Sequence, residues 1–226
     1  MTRTSSAALL VTLFAATAVF AQSHYEKRVE RFKKENAELE PGKRHVVLVG
    51  DSLTEAWEAG RRIERFLPGL ADRVLGRGIG GDGTRGLERR LAESIFDTNP
   101  GHLVLCLGVN DVGRDGSGVA GSAAKYATIV RAVRERLPDV PLALVTLAPA
   151  RGRYAELNPH IVAYNVHVRR IAEEAGCALI DLHALLVDEQ GELPATHATP
   201  DGLHWTDAVY EVLGHEVERV VGESAR

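Results

Sequence analysis

The strongest constraint on this chain is an alternation of short apolar runs with longer amphipathic segments. The runs are "HVVLV" (His45 to Val49), "RVLG" (Arg73 to Gly76), "HLVLCLG" (His102 to Gly108), "PLALVTL" (Pro141 to Leu147) and "CALIDL" (Cys177 to Leu182). Short, continuous apolar runs are what strands buried on both faces require. Between them, "TEAWEAGRRIERFL", "TRGLERRLAESIF", "VAGSAAKYATIVRAVRERL" and "IVAYNVHVRRIAEEAG" read as helices, and "TDAVYEVLGHEVERVV" closes the chain as another. Gly60 weakens the first of these. Leu87, Leu91 and Ile95 share one face of the second, Pro138 stops the third and Gly176 ends the fourth. Five strands separated by helices predict an α/β fold, a three-layer α/β/α sandwich around a mostly parallel sheet. Right-handed crossovers place helices on both faces. Ligands then bind at the carboxyl ends of the strands.

The 226 residues suffice for one such domain. A formal net charge of −4 gives no bulk attraction for nucleic acid, and no repeat or low-complexity tract interrupts the pattern. "MTRTSSAALLVTLFAATAVFA" stands apart: one cation at Arg3, then an apolar run ending in small residues. It predicts a signal peptide over residues 1–21, cleaved after Ala21, with a secreted or periplasmic product. The run is short for a bilayer-spanning helix, although an uncleaved anchor is the rival reading. No other segment is expected to insert in a membrane. Residues 22–44 form an N-terminal helical segment in which Tyr25, Val29 and Phe32 make a weak stripe on an otherwise solvated helix. The main domain spans 45–226. Cys106 and Cys177 lie in apolar segments and are expected as buried free thiols, with a disulfide the alternative that an exported compartment permits.

The strand ends carry the chemistry. After the first strand come Gly50, Asp51 and Ser52. After the second comes "GRGIGGDGT" (Gly76 to Thr84), after the third "GVND" (Gly108 to Asp111), and before the last helix "TPDGLH" (Thr199 to His204). In a parallel sheet all four reach one rim. Ser52 on its own is a common helix cap. A serine nucleophile needs an adjacent base. His204 can take its proton and return it to a leaving alcohol, while Asp201 orients the imidazole. An oxyanion needs fixed donors, which the backbone N–H groups of Ser52 and Gly81 and the side-chain amide of Asn110 can supply. This scheme requires no metal and no cofactor.

"GDSL" at Gly50 to Leu53, "GGD" at Gly80 to Asp82, "GVND" and "DGLH" resemble, in order and spacing, the four sequence blocks of the SGNH, or GDSL, hydrolases. The body around "GIGGD" is similar to the subgroup containing the catalytic subunits of platelet-activating-factor acetylhydrolase. The resemblance implies a flavodoxin-like sheet of strand order 2-1-3-4-5. It implies Ser52 as nucleophile, Asp201 and His204 as its partners, and Ser52, Gly81 and Asn110 as the oxyanion hole. Gly81 is preferred over Gly80 because it directly precedes Asp82, as the family glycine precedes its aspartate. Trp205 replaces the proline that follows the histidine in many relatives.

Other assignments fit less well. Gly76, Gly78 and Gly81 match a dinucleotide fingerprint, but after the second strand rather than the first. Asp51, Asp82 and Asp111 read as loop anchors. His197 could pair with His204 on a metal, but no third ligand is evident. Trp205, Arg151 and Arg153 are the substrate-contact candidates. The expected activity is an exported serine esterase acting on short acyl esters, such as O-acetylated carbohydrates, because short loops leave little chain for a lipid tunnel. A lysophospholipase or thioesterase is the alternative within the same chemistry. A non-catalytic carbohydrate-binding module is the alternative outside it. Oligomeric state is open, because the charged N-terminal helix could dock on its own domain or on a neighbour.

Overall fold

The computed structural model describes residues 24–114 and 118–224; the expected signal peptide lies outside the described residues. Five parallel strands form one sheet in the order β2-β1-β3-β4-β5. They are β1 (His45–Gly50), β2 (Val74–Gly78), β3 (Pro100–Cys106), β4 (Leu142–Val145) and β5 (Ala178–Ile180). This is the expected order. β2 runs past Gly76 to Gly78 because it pairs along β1 from Val46↔Val74 to Gly50↔Gly78. The two strands flanking the nucleophile candidate therefore end level with each other. Every residue of β1 is buried, as a central strand covered on both faces requires.

The helices are α1 (24–37), α2 (Ser52–Glu55), α3 (Arg62–Phe66), α4 (Thr84–Glu88), α5 (Leu91–Ser94), α6 (Val109–Arg114), α7 (Gly118–Arg136), α8 (Asn158–Glu174), α9 (Leu182–Leu186) and α10 (Asp207–Ser224). α4, α7 and α8 pack in a row on one side, and α3 packs with α10. Right-handed crossovers demand that segregation.

Two segments expected as single helices are broken. Residues 54–67 divide into α2, a 3₁₀ stretch (Ala56–Arg61) and α3, with left-handed backbone at Gly60 (φ 60°) and Arg61 (φ 55°). Residues 84–96 divide at Arg90, whose φ of −124° leaves the helical region and turns its side chain inward.

α1 departs furthest from its expectation as a solvated helix. Phe32 is fully buried, stacked between the guanidinium groups of Arg28 (5.0 Å) and Arg77 (4.7 Å). Arg77, buried on β2, bonds Glu35 (2.7 Å) and Asn36 (2.8 Å) of α1. Arg28 forks onto Glu58 (2.8 and 2.9 Å) and donates to the Gly78 carbonyl at the end of β2 (2.8 Å). Burying the Phe32 ring contributes about 1.5–3 kcal/mol. α1 thus docks on its own domain and covers a sheet edge that would otherwise offer unpaired carbonyls. Cys106 is buried and Cys177 half-buried; both are free thiols.

Candidate active site

Ser52 opens α2, directly after β1. Asp51, not Ser52, is the cap: its Oδ1 accepts the Leu53 N–H at 3.0 Å. The Ser52 side chain is released from capping and lies 3.0 Å from His204 Nε2. His204 Nδ1 lies 2.6 Å from Asp201 Oδ2. A carboxylate can only accept, so it fixes the proton on Nδ1 and leaves the Nε2 lone pair facing the serine hydroxyl. Burial opposes the charge on Asp201. The Leu203 N–H, the His204 ring and the His204 N–H outweigh it, and the Thr199 hydroxyl adds to them, holding the carboxyl below the usual range. Asp201 is therefore the ionised partner of the imidazole at neutral pH.

The turn carrying Asp201 and His204 is pinned from several sides. Gly202 donates to the Thr199 carbonyl (2.9 Å), Thr199 to the His204 carbonyl (2.8 Å), and the Arg151 N–H to the Gly202 carbonyl (2.8 Å). Gly202 has φ 86°, and a Cβ there would run into the Arg151 carbonyl oxygen. Only glycine allows both the left-handed backbone and that approach.

The donors for an oxyanion come from two other strand ends. Asp82 N–H closes a turn onto the Ile79 carbonyl (3.1 Å), with Gly81 at φ 75° in its third position, the signature of a type II turn. A Cβ added to Gly80 would lie 3.9 Å from Ser52 Cβ, so this turn sits against the serine. Asn110 Nδ2 donates to the Asp82 carbonyl at 2.9 Å, which spends one amide hydrogen and orients the other. Asp111 binds the Thr84 N–H (3.0 Å) and hydroxyl (2.7 Å), tying the loop after β3 to the one after β2. Ser52, Gly81, Asn110, Asp201 and His204 thus converge on one rim.

The three substrate-contact candidates fare differently. Trp205 is 4% exposed, edge-on to Tyr210 (centroids 5.6 Å apart) and bridged through its backbone to Ala198. Its indole is packed inward behind the His204 turn, which departs from the expectation of a substrate contact. Arg151 and Arg153 do line a cleft of about 410 Å³ with Ala195, Thr199 and Pro200 beside Asp201. Arg151 donates to the Leu193 carbonyl (2.9 Å), while exposed Arg153 lies over the Tyr154 ring (4.9 Å). His197 faces the Thr196 hydroxyl (3.0 Å), whereas both His204 nitrogens are engaged by Ser52 and Asp201.

Sequence reasoning missed Arg90. Its guanidinium, 0% exposed, donates to Asp82 Oδ2 (2.8 Å), the Gly50 carbonyl (2.8 Å), the Arg77 carbonyl (2.9 Å) and Ser94 Oγ (2.8 Å). It joins the residue before the Asp51–Ser52 step to the residue after Gly81. The signal was present: Arg90 stands three residues after Leu87, on the apolar face of its segment.

Asp51, fully buried below Ser52, gives a pH prediction. Burial, with Asp82 and Asp111 adding to it, pushes its carboxyl up to about 7, against the Leu53 N–H and Arg90. The folded state then holds a proton that the unfolded state releases near the ordinary aspartate value of 3.8. Stability contributed by this proton is full below that value and declines as pH rises through about 7. Asp51→Asn keeps the cap oxygen and removes the titration. Its thermal midpoint relative to wild type should be higher at pH 8 than at pH 5; a constant difference would contradict the assignment.

A family model for the GDSL-like lipase/acylhydrolase family matches residues 48–212. The chain belongs to that family. This GDSL enzyme is accordingly a serine ester hydrolase. It is similar in structure to a protein from Streptococcus pneumonia with the provisional description platelet activating factor. The TM-score is 0.80 at 22% identity, covering 96% of this chain and 100% of that one. It also resembles a GDSL-like lipase from Bacteroides thetaiotaomicron, with a TM-score of 0.76 at 20% identity over 87% and 98% of the two chains. The acetylxylan esterase Axe2 of Geobacillus stearothermophilus gives 0.63 at 20% identity over 79% and 94%. No curated protein matches the chain in sequence.

Proposed function

We propose that the enzyme is an exported hydrolase of short acyl esters, acetyl esters of carbohydrates foremost, working through an acyl-Ser52 intermediate. The observation that carries this reading is the hydrogen-bonded line Ser52–His204–Asp201. Ser52 Oγ attacks the ester carbonyl as its proton passes to His204 Nε2. The oxyanion is held by the N–H groups of Ser52 and Gly81 and the second amide hydrogen of Asn110. Collapse breaks the ester C–O bond, and His204 returns the proton to the departing alcohol. Water then attacks the acyl-enzyme with His204 as base, releasing the acid and restoring Ser52. Asp201 stabilises the imidazolium in both halves.

The preference for a hydroxyl-rich alcohol is supported by the cleft beside Asp201, where Arg151 and Arg153 bring guanidinium donors. A long acyl chain would want an apolar channel. Acetylxylan esterases share the fold. Export is proposed from the cation, apolar run and small residues of positions 1–21.

The test is a chain-length series of p-nitrophenyl esters together with O-acetylated xylo-oligosaccharides. kcat/KM should be greatest for acetate and fall as the acyl chain lengthens, with acetate released from the sugar. A maximum at a long acyl chain, or turnover of lysophospholipid or acyl thioester above acetyl esters, would overturn the substrate assignment.

A further inference from the structure

The oxyanion turn is held by a carboxylate that the catalytic scheme does not use. Glu55 lies three residues after Ser52 on the single turn of α2, so the two side chains share a face. Its Oε2 accepts the Gly80 N–H. The same oxygen lies 3.2 Å from His24 Nε2, and Oε1 lies 3.8 Å from Arg28 Nε. Both partners come from α1, about 30 residues upstream. His24 also approaches the turn itself: its Nε2 would lie 3.8 Å from a Cβ on Gly80.

We propose that Glu55 is a positioning residue for the oxyanion hole, set by His24 and Arg28, so that the N-terminal helix is part of the catalytic apparatus. This rests on the assignment of Ser52 as nucleophile and Gly81 as oxyanion donor. The direction of the Gly81 N–H depends on the rotation of the Gly80–Gly81 peptide. A type II turn and its type I relative differ mainly by a flip of that central peptide. The Asp82 N–H bond to Ile79 and the Asn110 bond to the Asp82 carbonyl secure the far side of the turn. On the near side, the bond from Gly80 to Glu55 fixes the peptide plane entering Gly80. Glu55 is itself fixed twice. Its backbone N–H bonds the Asp51 carbonyl (2.8 Å), and its carboxylate is held between two side chains of α1. The distance from nucleophile to oxyanion donor is thereby set through one helical turn. Arg28 is 7% exposed and also grips the Gly78 carbonyl and Glu58, so the support behind Glu55 is rigid.

A donor displaced from the developing oxyanion weakens the transition state more than the bound substrate. Loss of Glu55 therefore acts on kcat, and its effect tracks the acceptor oxygen more than the charge. Glu55→Ala should lower kcat for p-nitrophenyl acetate about 10- to 100-fold with KM changed less than about threefold. Glu55→Gln, whose amide oxygen can still accept the Gly80 N–H, should recover most of that loss. His24→Ala removes a side chain that is 41% exposed, which leaves the fold intact. It should lower kcat about 3- to 10-fold, again without a matching change in KM. It remains a test even if Glu55→Ala does not fold. Wild-type kcat in both Glu55→Ala and His24→Ala, or a loss carried by KM, would overturn the proposal. So would a Glu55→Gln variant as slow as Glu55→Ala. Ser52→Ala is measured alongside. If it stays active, the nucleophile assignment fails; if it is inactive while the Glu55 and His24 variants are unimpaired, only the positioning role fails.

Discussion

Ser52→Ala and His204→Ala should each lower kcat for p-nitrophenyl acetate by about 10⁴- to 10⁶-fold. The double variant should be no slower than the worse of the two. Oγ supplies the bond that forms, and Nε2, 3.0 Å away, is the base placed to take its proton. Either loss stops the same step, so the effects do not add. Thermal midpoints should change little, because both side chains are only partly buried. Asp201→Asn tests the third member. An amide in place of the carboxylate can present a donor to Nδ1 and favour the wrong tautomer, so a loss of about 10⁴-fold is expected. Additive losses in the double variant would mean that the two groups serve separate steps.

Arg90→Met should produce the largest loss of stability, about 3–5 kcal/mol. The guanidinium satisfies one carboxylate, two carbonyls and a hydroxyl in a region closed to solvent. Its removal leaves Asp82 without its buried counter-charge and takes a donor from the Arg77 carbonyl and one of two from the Gly50 carbonyl, which keeps the Ile79 N–H. For a domain of this size the thermal midpoint should fall by about 10 °C. Arg90→Lys should recover only part of that, because an ammonium cannot reproduce the planar fork. Arg90→Met combined with Asp82→Leu should be more stable than Arg90→Met alone, because the stranded charge is gone. The single variant should also lose kcat at temperatures where it remains folded, since Arg90 joins the Ser52 and Gly81 loops. An Arg90→Met midpoint equal to wild type would contradict this account of the clamp.

The features legible in the sequence were those with local causes. Apolar runs at 45–49 and 102–108 could only be buried strands. Parallel strands put Ser52, Gly81, Asn110 and His204 at one edge, because each follows or closes a strand end. Trp205 was misplaced although its neighbour His204 was not, because the packing of its ring against Tyr210 is a tertiary contact that no local pattern announces. α1 looked solvated because its charges were read against water. In the fold those charges meet Arg77, Glu58 and the end of β2, partners that only tertiary structure supplies. Arg90 was hidden for the same reason. A buried arginine is affordable only where carbonyls and a carboxylate from separate loops converge on it, and no local pattern announces that convergence.

The central claim is that Ser52 is a nucleophile made reactive by His204 and Asp201. Labelling with a fluorophosphonate followed by mass mapping of the adduct tests it most directly. The account predicts a single adduct on Ser52 of the folded protein, abolished in Ser52→Ala and slowed in His204→Ala. Folded protein with no adduct on Ser52, or full p-nitrophenyl acetate turnover by Ser52→Ala, would contradict it.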